Sequence, residues 1–190
     1  MSHPDLQTGL IEQIAAKPSL AVLRNGLCKK PLHQGLPIWR ANIGRETLHP
    51  EDIGFSFLWI DGELSERNRA RPGILTSSDY LNSPAKYVDD TGTPFRWRLG
   101  EDDQGMEIIA GLKAEGATDY TMLPLPFLDN ARSASLSFAT KAKGGFGDEG
   151  YEALNYAITL FSPLAERIAL RRVALDALTV YLGSTAAQRA

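Results

Sequence analysis

The middle of the chain alternates hydrophobic and polar residues at the spacing of β-strands, whereas both ends repeat hydrophobic residues at the spacing of helices. Before residue 36, leucine and isoleucine recur every three or four positions, and Pro18 interrupts them. This pattern predicts two N-terminal helices within residues 1–35. The alternating segments that follow predict a sheet core over residues 36–147.

The first two predicted strands lie between Leu36 and Trp59. In "PIWRANIG" the inward side of the first strand is predicted to carry Trp39, Ala41 and Ile43, with a bulge or bend at Gly44, where the parity changes. The segment "GFSFLWIDG" is hydrophobic on both parities, which is typical of a central strand. Residues 63–73 are polar and carry three arginines, so they are predicted to form a loop.

The next elements have clear boundary signals. Ser83 can cap a helix that begins at Pro84 and ends near Gly92. The segment "PFRWRL" predicts a half-exposed strand with Arg96 and Arg98 on its outer face, and "GMEIIAGLKAEG" predicts a helix. The inward residues of these two segments are predicted to be Phe95, Trp97, Leu99, Ile108, Ile109 and Leu112.

Two further strands, "TDYTMLPLPF" and "SASLSFAT", precede a long C-terminal helix. The first should end or lie at a sheet edge at Pro124 and Pro126, because proline donates no ladder hydrogen bond. Gly147 can begin the helix, and Pro163 should kink or divide it. Hydrophobic residues at coiled-coil steps follow Gly147: Leu154, Ile158, Phe161, Ala165 and Ile168. The expected organisation is one domain, with this helix over residues 148–190.

Composition excludes several classes of function. The formal net charge of −3 gives no basic surface for nucleic acid. Cys28 is the only cysteine, which excludes an internal disulfide and fits a reducing cytoplasm. No apolar run approaches the ~20 residues of a membrane span, and the N-terminus does not resemble a signal peptide. We therefore expect a cytoplasmic protein without membrane insertion.

The sequence carries no recognisable catalytic or metal-binding motif. The three histidines, His3, His33 and His49, lack metal-ligand spacing. The "GGFG" segment lacks the lysine and serine or threonine of a phosphate-binding loop. We expect no catalytic residue and no metal site, and no motif identifies a cofactor.

Four segments, taken in order, resemble the N-terminal regulatory region of a group of bacterial class III adenylate cyclases, and the order of elements resembles a GAF-type sensor domain. These segments are "PIWRANIGRETLHPEDIGFSFLW", "AEGATDYTMLPLPF", "LSFATKAKGGFGDEGYEAL" and "ALDALTVYLG". The resemblance implies an α+β, GAF-like fold: a central antiparallel sheet of about five to six strands flanked by helices, with a long C-terminal helix. It also implies a homodimer that controls a covalently linked cyclase catalytic domain lying beyond this chain.

A GAF-like sheet implies a ligand pocket on one face. The candidates for its walls are Trp39, Trp59, Tyr80, Trp97 and Tyr120. Each could instead be ordinary core, and Arg40, Arg96 and Arg98 favour a solvated face or an interface over an anion site. The C-terminal helix could pack on its own sheet or pair with a second copy. The alternative to a sensor is therefore a ligand-free scaffold for dimerisation or protein docking.

Overall fold

The computed structural model describes residues 36–45, 55–68, 76–126 and 134–182. The predicted N-terminal helices, Cys28 and all three histidines lie outside the described residues. The strands are β1 Arg40–Arg45, β2 Phe55–Ile60, β3 Glu63–Asn68, β4 Phe95–Arg98, β5 Asp119–Pro124 and β6 Ala134–Thr140. The helices are α1 Ser78–Leu81, α2 Pro84–Thr91, α3 Glu107–Ala114 and α4 Gly147–Leu182.

The six strands form one antiparallel sheet in the order β3-β2-β1-β6-β5-β4. The central strands β1 and β6 pair along their length. This pairing joins the three-stranded meander β1-β2-β3 to the later strands β5 and β4. Strands β1 and β2, which correspond to the first two predicted strands, pair with each other from the Arg40/Ile60 pair to the Arg45/Phe55 pair. Strand β5 ends at Pro124, as its missing N–H donor predicts.

The predicted loop over residues 63–73 is wrong for Glu63–Asn68, which forms edge strand β3. Asp61 and Gly62 connect it to β2, both with positive φ (48° and 98°), as a tight hairpin turn requires. Glu63 and Ser65 are exposed at the edge of the sheet. The sequence of this strand therefore lacks the regular alternation of hydrophobic and polar residues that would predict it.

The predicted inward side of β1 is also wrong, because Trp39 lies on the opposite side of the sheet from Ala41 and Ile43. The N–H of Trp39 donates to the carbonyl of Ala139 (2.9 Å), although Arg40 is the register partner of Ala139. Two consecutive residues thus oppose one, which is the arrangement of a β-bulge. The bulge lies here and not at Gly44, where pairing continues without interruption.

Two hydrophobic clusters lie on the two faces of the sheet. The long-helix cluster packs beneath α4 and comprises Leu36, Ile38, Ala41, Trp59, Leu123, Leu125, Ala134, Leu136, Phe138, Phe146, Leu154, Ala157 and Ile158. The short-helix cluster packs beneath α2 and α3 and comprises Trp39, Val88, Phe95, Trp97, Met106, Ile109, Leu112, Ala117, Tyr120, Met122 and Ala139. Strand residues alternate between the clusters, which is the two-residue period of a strand covered on both faces.

The short helices follow their capping signals. The Ser83 hydroxyl accepts from the N–H of Lys86 (3.3 Å), and Gly92 ends α2 in the left-handed region (φ 64°), as predicted. Leu99 and Ile108 were predicted to face inward, but both are exposed. Leu99 lies after the end of β4, and α3 buries Ile109 and Leu112 at a spacing of three, which leaves Ile108 outside.

Helix α4 begins at Gly147 and continues through Pro163. Its first half carries Leu154, Ala157 and Ile158 into the long-helix cluster. The Ser162 hydroxyl, one residue before the proline, donates to the carbonyl of Pro126 (2.6 Å), which ties the helix to the end of the sheet. Pairing of α4 with a second copy stays a prediction.

Leu136 is fully buried at the centre of the long-helix cluster, so Leu136→Ala should lower the free energy of unfolding by about 2–5 kcal/mol. Leu99→Ala, at a side chain 58% exposed, is the matched control and should change it by less than about 0.5 kcal/mol. Urea denaturation of the two variants measures both values. Equal losses would contradict the assignment of Leu136 to the core and Leu99 to the surface.

Candidate functional site

Three of the five predicted pocket residues lie together in the short-helix cluster: Trp39, Trp97 and Tyr120. Trp97 and Tyr120 are direct cross-strand partners on β4 and β5. Trp39 reaches this face through the bulge at the start of β1. The three side chains are at most 7% exposed, so they form a buried aromatic wall.

The other two candidates lie elsewhere. Trp59 is in the long-helix cluster, so the sheet separates it from the aromatic wall. Tyr80 is half-buried on α1, and its hydroxyl donates to a carboxylate oxygen of Asp89 on α2 (2.7 Å). That hydrogen bond links α1 to α2.

Polar side chains share the short-helix face with the aromatic wall. One row across the sheet runs Leu58, Asn42, Ser137, Met122 and Phe95, each the register partner of the next. Direct partners project to the same face of a sheet. Asn42 is half-buried and Ser137 is 5% exposed, and the pair lies between the hydrophobic Leu58 and Met122. We call this row the central row.

The neighbouring row carries Ile60, Arg40, Ala139, Tyr120 and Trp97. The half-buried Arg40 is therefore on the same face, one row from Asn42. A mainly hydrophobic surface with a few converging polar groups is the usual composition of a small-molecule site. The face formed by the two rows is the candidate ligand face.

The aromatic wall is fixed by its surroundings. The indole N–H of Trp97 donates to the carbonyl of Glu101 (3.3 Å), and the ring of Phe95 makes an edge contact with Tyr120 (centroids 6.3 Å apart). The ammonium group of Lys141 lies 3.8 Å from the centre of the Trp39 ring, a cation–π contact. These contacts hold the rings in fixed orientations on the candidate ligand face.

A second polar feature lies on the opposite face, where β4 and β5 meet the start of α4. Asp119 on β5 is 2% exposed, and its carboxylate receives two hydrogen bonds from Arg96 on β4 (Nη2 to Oδ2 2.8 Å, Nε to Oδ1 3.3 Å). The backbone N–H of Phe146 donates to the same carboxylate (3.1 Å). A buried carboxylate is stable only when its charge is balanced and its oxygens are hydrogen-bonded, and these three bonds supply both.

Arg96 also contacts α4 directly. Its guanidinium lies 4.2 Å from the centre of the Tyr151 ring, in the first turns of the helix. The hydrogen bond to Asp119 is the main cause that raises the pKa of Arg96 above its ordinary value, so the guanidinium stays charged at every working pH. We call Arg96, Asp119 and the N–H of Phe146 the strand–helix clasp.

Sequence reasoning missed the clasp. Arg96 was predicted on a solvated face or an interface, and its partner Asp119 had no signal, because a single aspartate at the start of a strand is common. Arg98, two residues further along β4, behaves as predicted for a surface residue: it is half-exposed and pairs with the exposed Asp148 (3.2 Å).

Within the described ranges, no cluster of three or more His, Cys, Asp or Glu side chains could hold a metal ion. Over those same residues, no helix is both long enough and apolar enough to cross a membrane.

No protein-family model and no curated protein matches the chain. It is similar in structure to the GAF domain of a two-component sensor histidine kinase from Bacillus halodurans, at 12% identity over 90% of this chain and 97% of that one, with a TM-score of 0.52. It is also similar to the N-acylhomoserine lactone dependent LuxR family transcription factor CepR2 from Burkholderia cenocepacia, at 11% identity over the same shares, with a TM-score of 0.56. The predicted α+β, GAF-like fold with its antiparallel sheet flanked by helices is therefore confirmed.

Gly145 lies against the clasp carboxylate and cannot carry a side chain without disturbing it. Its φ is +64°, and an added Cβ would lie 2.6 Å from Oδ2 of Asp119. Gly145→Ala should therefore lower the free energy of unfolding by at least about 1 kcal/mol. Gly144→Ala meets no atom within 4 Å and is the matched control, with a change below about 0.5 kcal/mol. Equal effects in urea denaturation would contradict the close packing at Asp119.

Proposed function

We propose that this chain is a GAF-like regulatory sensor module that binds a small ligand on the candidate ligand face. The central row is the observation that supports this function, because Asn42 and Ser137 offer hydrogen bonds between the hydrophobic Leu58 and Met122. A buried polar group needs a hydrogen-bonding partner, and a ligand on this face would supply one. The GAF-like fold adds support, because one structural neighbour belongs to a sensor histidine kinase and another depends on N-acylhomoserine lactone.

The proposed output is control of an adenylate cyclase. The resemblance of four segments to the regulatory region of class III cyclases supports it, and the catalytic domain would be covalently linked beyond α4. The module itself would perform no catalysis. Two copies would pair through α4, in the cytoplasm, and pass a conformational change along the helices. Ligand binding can drive such a change only by binding one state of the dimer more tightly than the other.

The alternative is a ligand-free scaffold for dimerisation or protein docking. The tight burial beneath the short helices favours it, because Trp97, Ile109 and Leu112 are at most 2% exposed. In this alternative the aromatic wall is ordinary core. The two functions differ in one measurable property, a bound small molecule.

Native mass spectrometry of the purified full chain, without added ligand, tests the proposal. We expect a dimer that carries a constant extra mass, which is absent under denaturing conditions. Ser137→Leu, which adds volume in the central row, should remove the extra mass. Leu136→Met, a volume-conserving change at the neighbouring residue on the other face, should keep it.

A dimer at the bare sequence mass would favour the scaffold, and a monomer at micromolar concentration would contradict dimerisation through α4. The cyclase link has a separate readout, formation of cyclic AMP from ATP by the intact protein. Loss of regulation, with basal activity retained, is expected for Ser137→Leu in that protein. No cyclic AMP from the intact protein would contradict the cyclase link and leave the ligand result unaffected.

A further inference from the structure

The candidate ligand face and the strand–helix clasp are carried by adjacent residues of the same two strands. On β4, Trp97 belongs to the aromatic wall and the preceding residue, Arg96, belongs to the clasp. On β5, Tyr120 belongs to the wall and the preceding residue, Asp119, belongs to the clasp. Because consecutive strand residues share a peptide unit, a displacement of the wall displaces the clasp.

The clasp in turn holds the segment from which α4 begins. Oδ2 of Asp119 accepts from the N–H of Phe146, one residue before the helix, and Arg96 packs on Tyr151 within it. Thr118, immediately before β5, donates its hydroxyl to the carbonyl of Ala142 (2.5 Å), which anchors the same connection upstream. Gly145 leaves no free space beside the carboxylate, so this contact has little room to absorb movement.

The rest of α4 contacts the sheet differently. Leu154, Ala157 and Ile158 pack on it through hydrophobic contacts, which are non-directional and allow small sliding movements. The two parallel hydrogen bonds between Arg96 and Asp119 join β4 to β5 and fix the orientation of both charged groups. These oriented groups contact the start of α4, since Asp119 accepts from the N–H of Phe146 and Arg96 packs on Tyr151. Among the described contacts between the β4-β5 strands and the start of α4, those of Asp119 with Phe146 and of Arg96 with Tyr151 therefore constrain orientation most closely.

We infer that Arg96 and Asp119 are the coupling pair of the module: they transmit displacement of the aromatic wall to the start of α4. This inference rests on the proposed sensor function for its biological meaning, but its physical content does not require a ligand. Both residues are positioning residues, because neither faces the candidate ligand face. Arg98 and Asp148 join the same strand to the same helix, but that exposed pair is weakly constrained and carries little coupling.

The test displaces the aromatic wall by a conservative mutation, so that no ligand is needed. Trp97→Phe replaces the indole by a smaller ring and removes the hydrogen bond from its N–H to the carbonyl of Glu101. In the full chain, this change should shift the amide ¹H–¹⁵N resonances of residues 146–151, on the other face of the sheet. The same mutation is then made in an Asp119→Asn background and in an Arg98→Gln background. We expect the Trp97→Phe-induced shifts to be lost in the first background and retained in the second.

Shifts that persist in the Asp119→Asn background would overturn the inference. A purely structural role of Asp119 would change the resonances of that variant itself but leave the additional effect of Trp97→Phe intact. If Asp119→Asn does not fold, Arg96→Gln replaces it, since that side chain is partly exposed, and the same two outcomes apply. Absence of a bound ligand would contradict the proposed function without changing this result.

Discussion

The buried carboxylate of Asp119 imposes the constraint on which the arrangement of sheet and helix depends. An ionised group at 2% exposure must find a countercharge and donors within the protein, because water cannot supply them. The countercharge comes from Arg96 on the neighbouring strand and one donor from the N–H of Phe146 before α4. The connection must therefore pass directly over the start of β5, which requires glycine at position 145. The start of the long helix is thus fixed by polar contacts, and hydrophobic packing stabilises the turns that follow.

The two faces of the sheet carry different kinds of side chains. One face is covered by α4 and holds a hydrophobic cluster that includes Trp59, while the other combines an aromatic wall with Asn42 and Ser137. A regulatory module needs two parts: a surface that recognises a ligand and an element that transmits the resulting conformational change. Strands β4 and β5 contribute to both faces through alternate residues. The proposed sensor function and the inferred coupling pair therefore follow from the same two-residue period.

Local signals in the sequence predicted local structure correctly. Ser83, Pro84 and Gly92 define α2 because capping depends on neighbours within one turn, and Pro124 ends β5 because it lacks a donor. The errors at β3 and Trp39 occurred where distant partners decide the outcome. Strand β3 pairs through its backbone at an exposed edge, and Trp39 changes face through a bulge opposite Ala139. Asp119 could not be predicted because its partners lie 23 and 27 residues away and share no motif with it.

A double-mutant cycle on Arg96 and Asp119 tests the central claim most directly. Urea unfolding of Arg96→Gln, Asp119→Asn and the double variant gives the interaction free energy of the pair without assumptions about a ligand. The account predicts that the double variant loses less stability than the sum of the single losses, with an interaction free energy of about 1 kcal/mol or more. Additive losses, with an interaction free energy near zero, would contradict it, because the carboxylate and the guanidinium would then be held independently of each other.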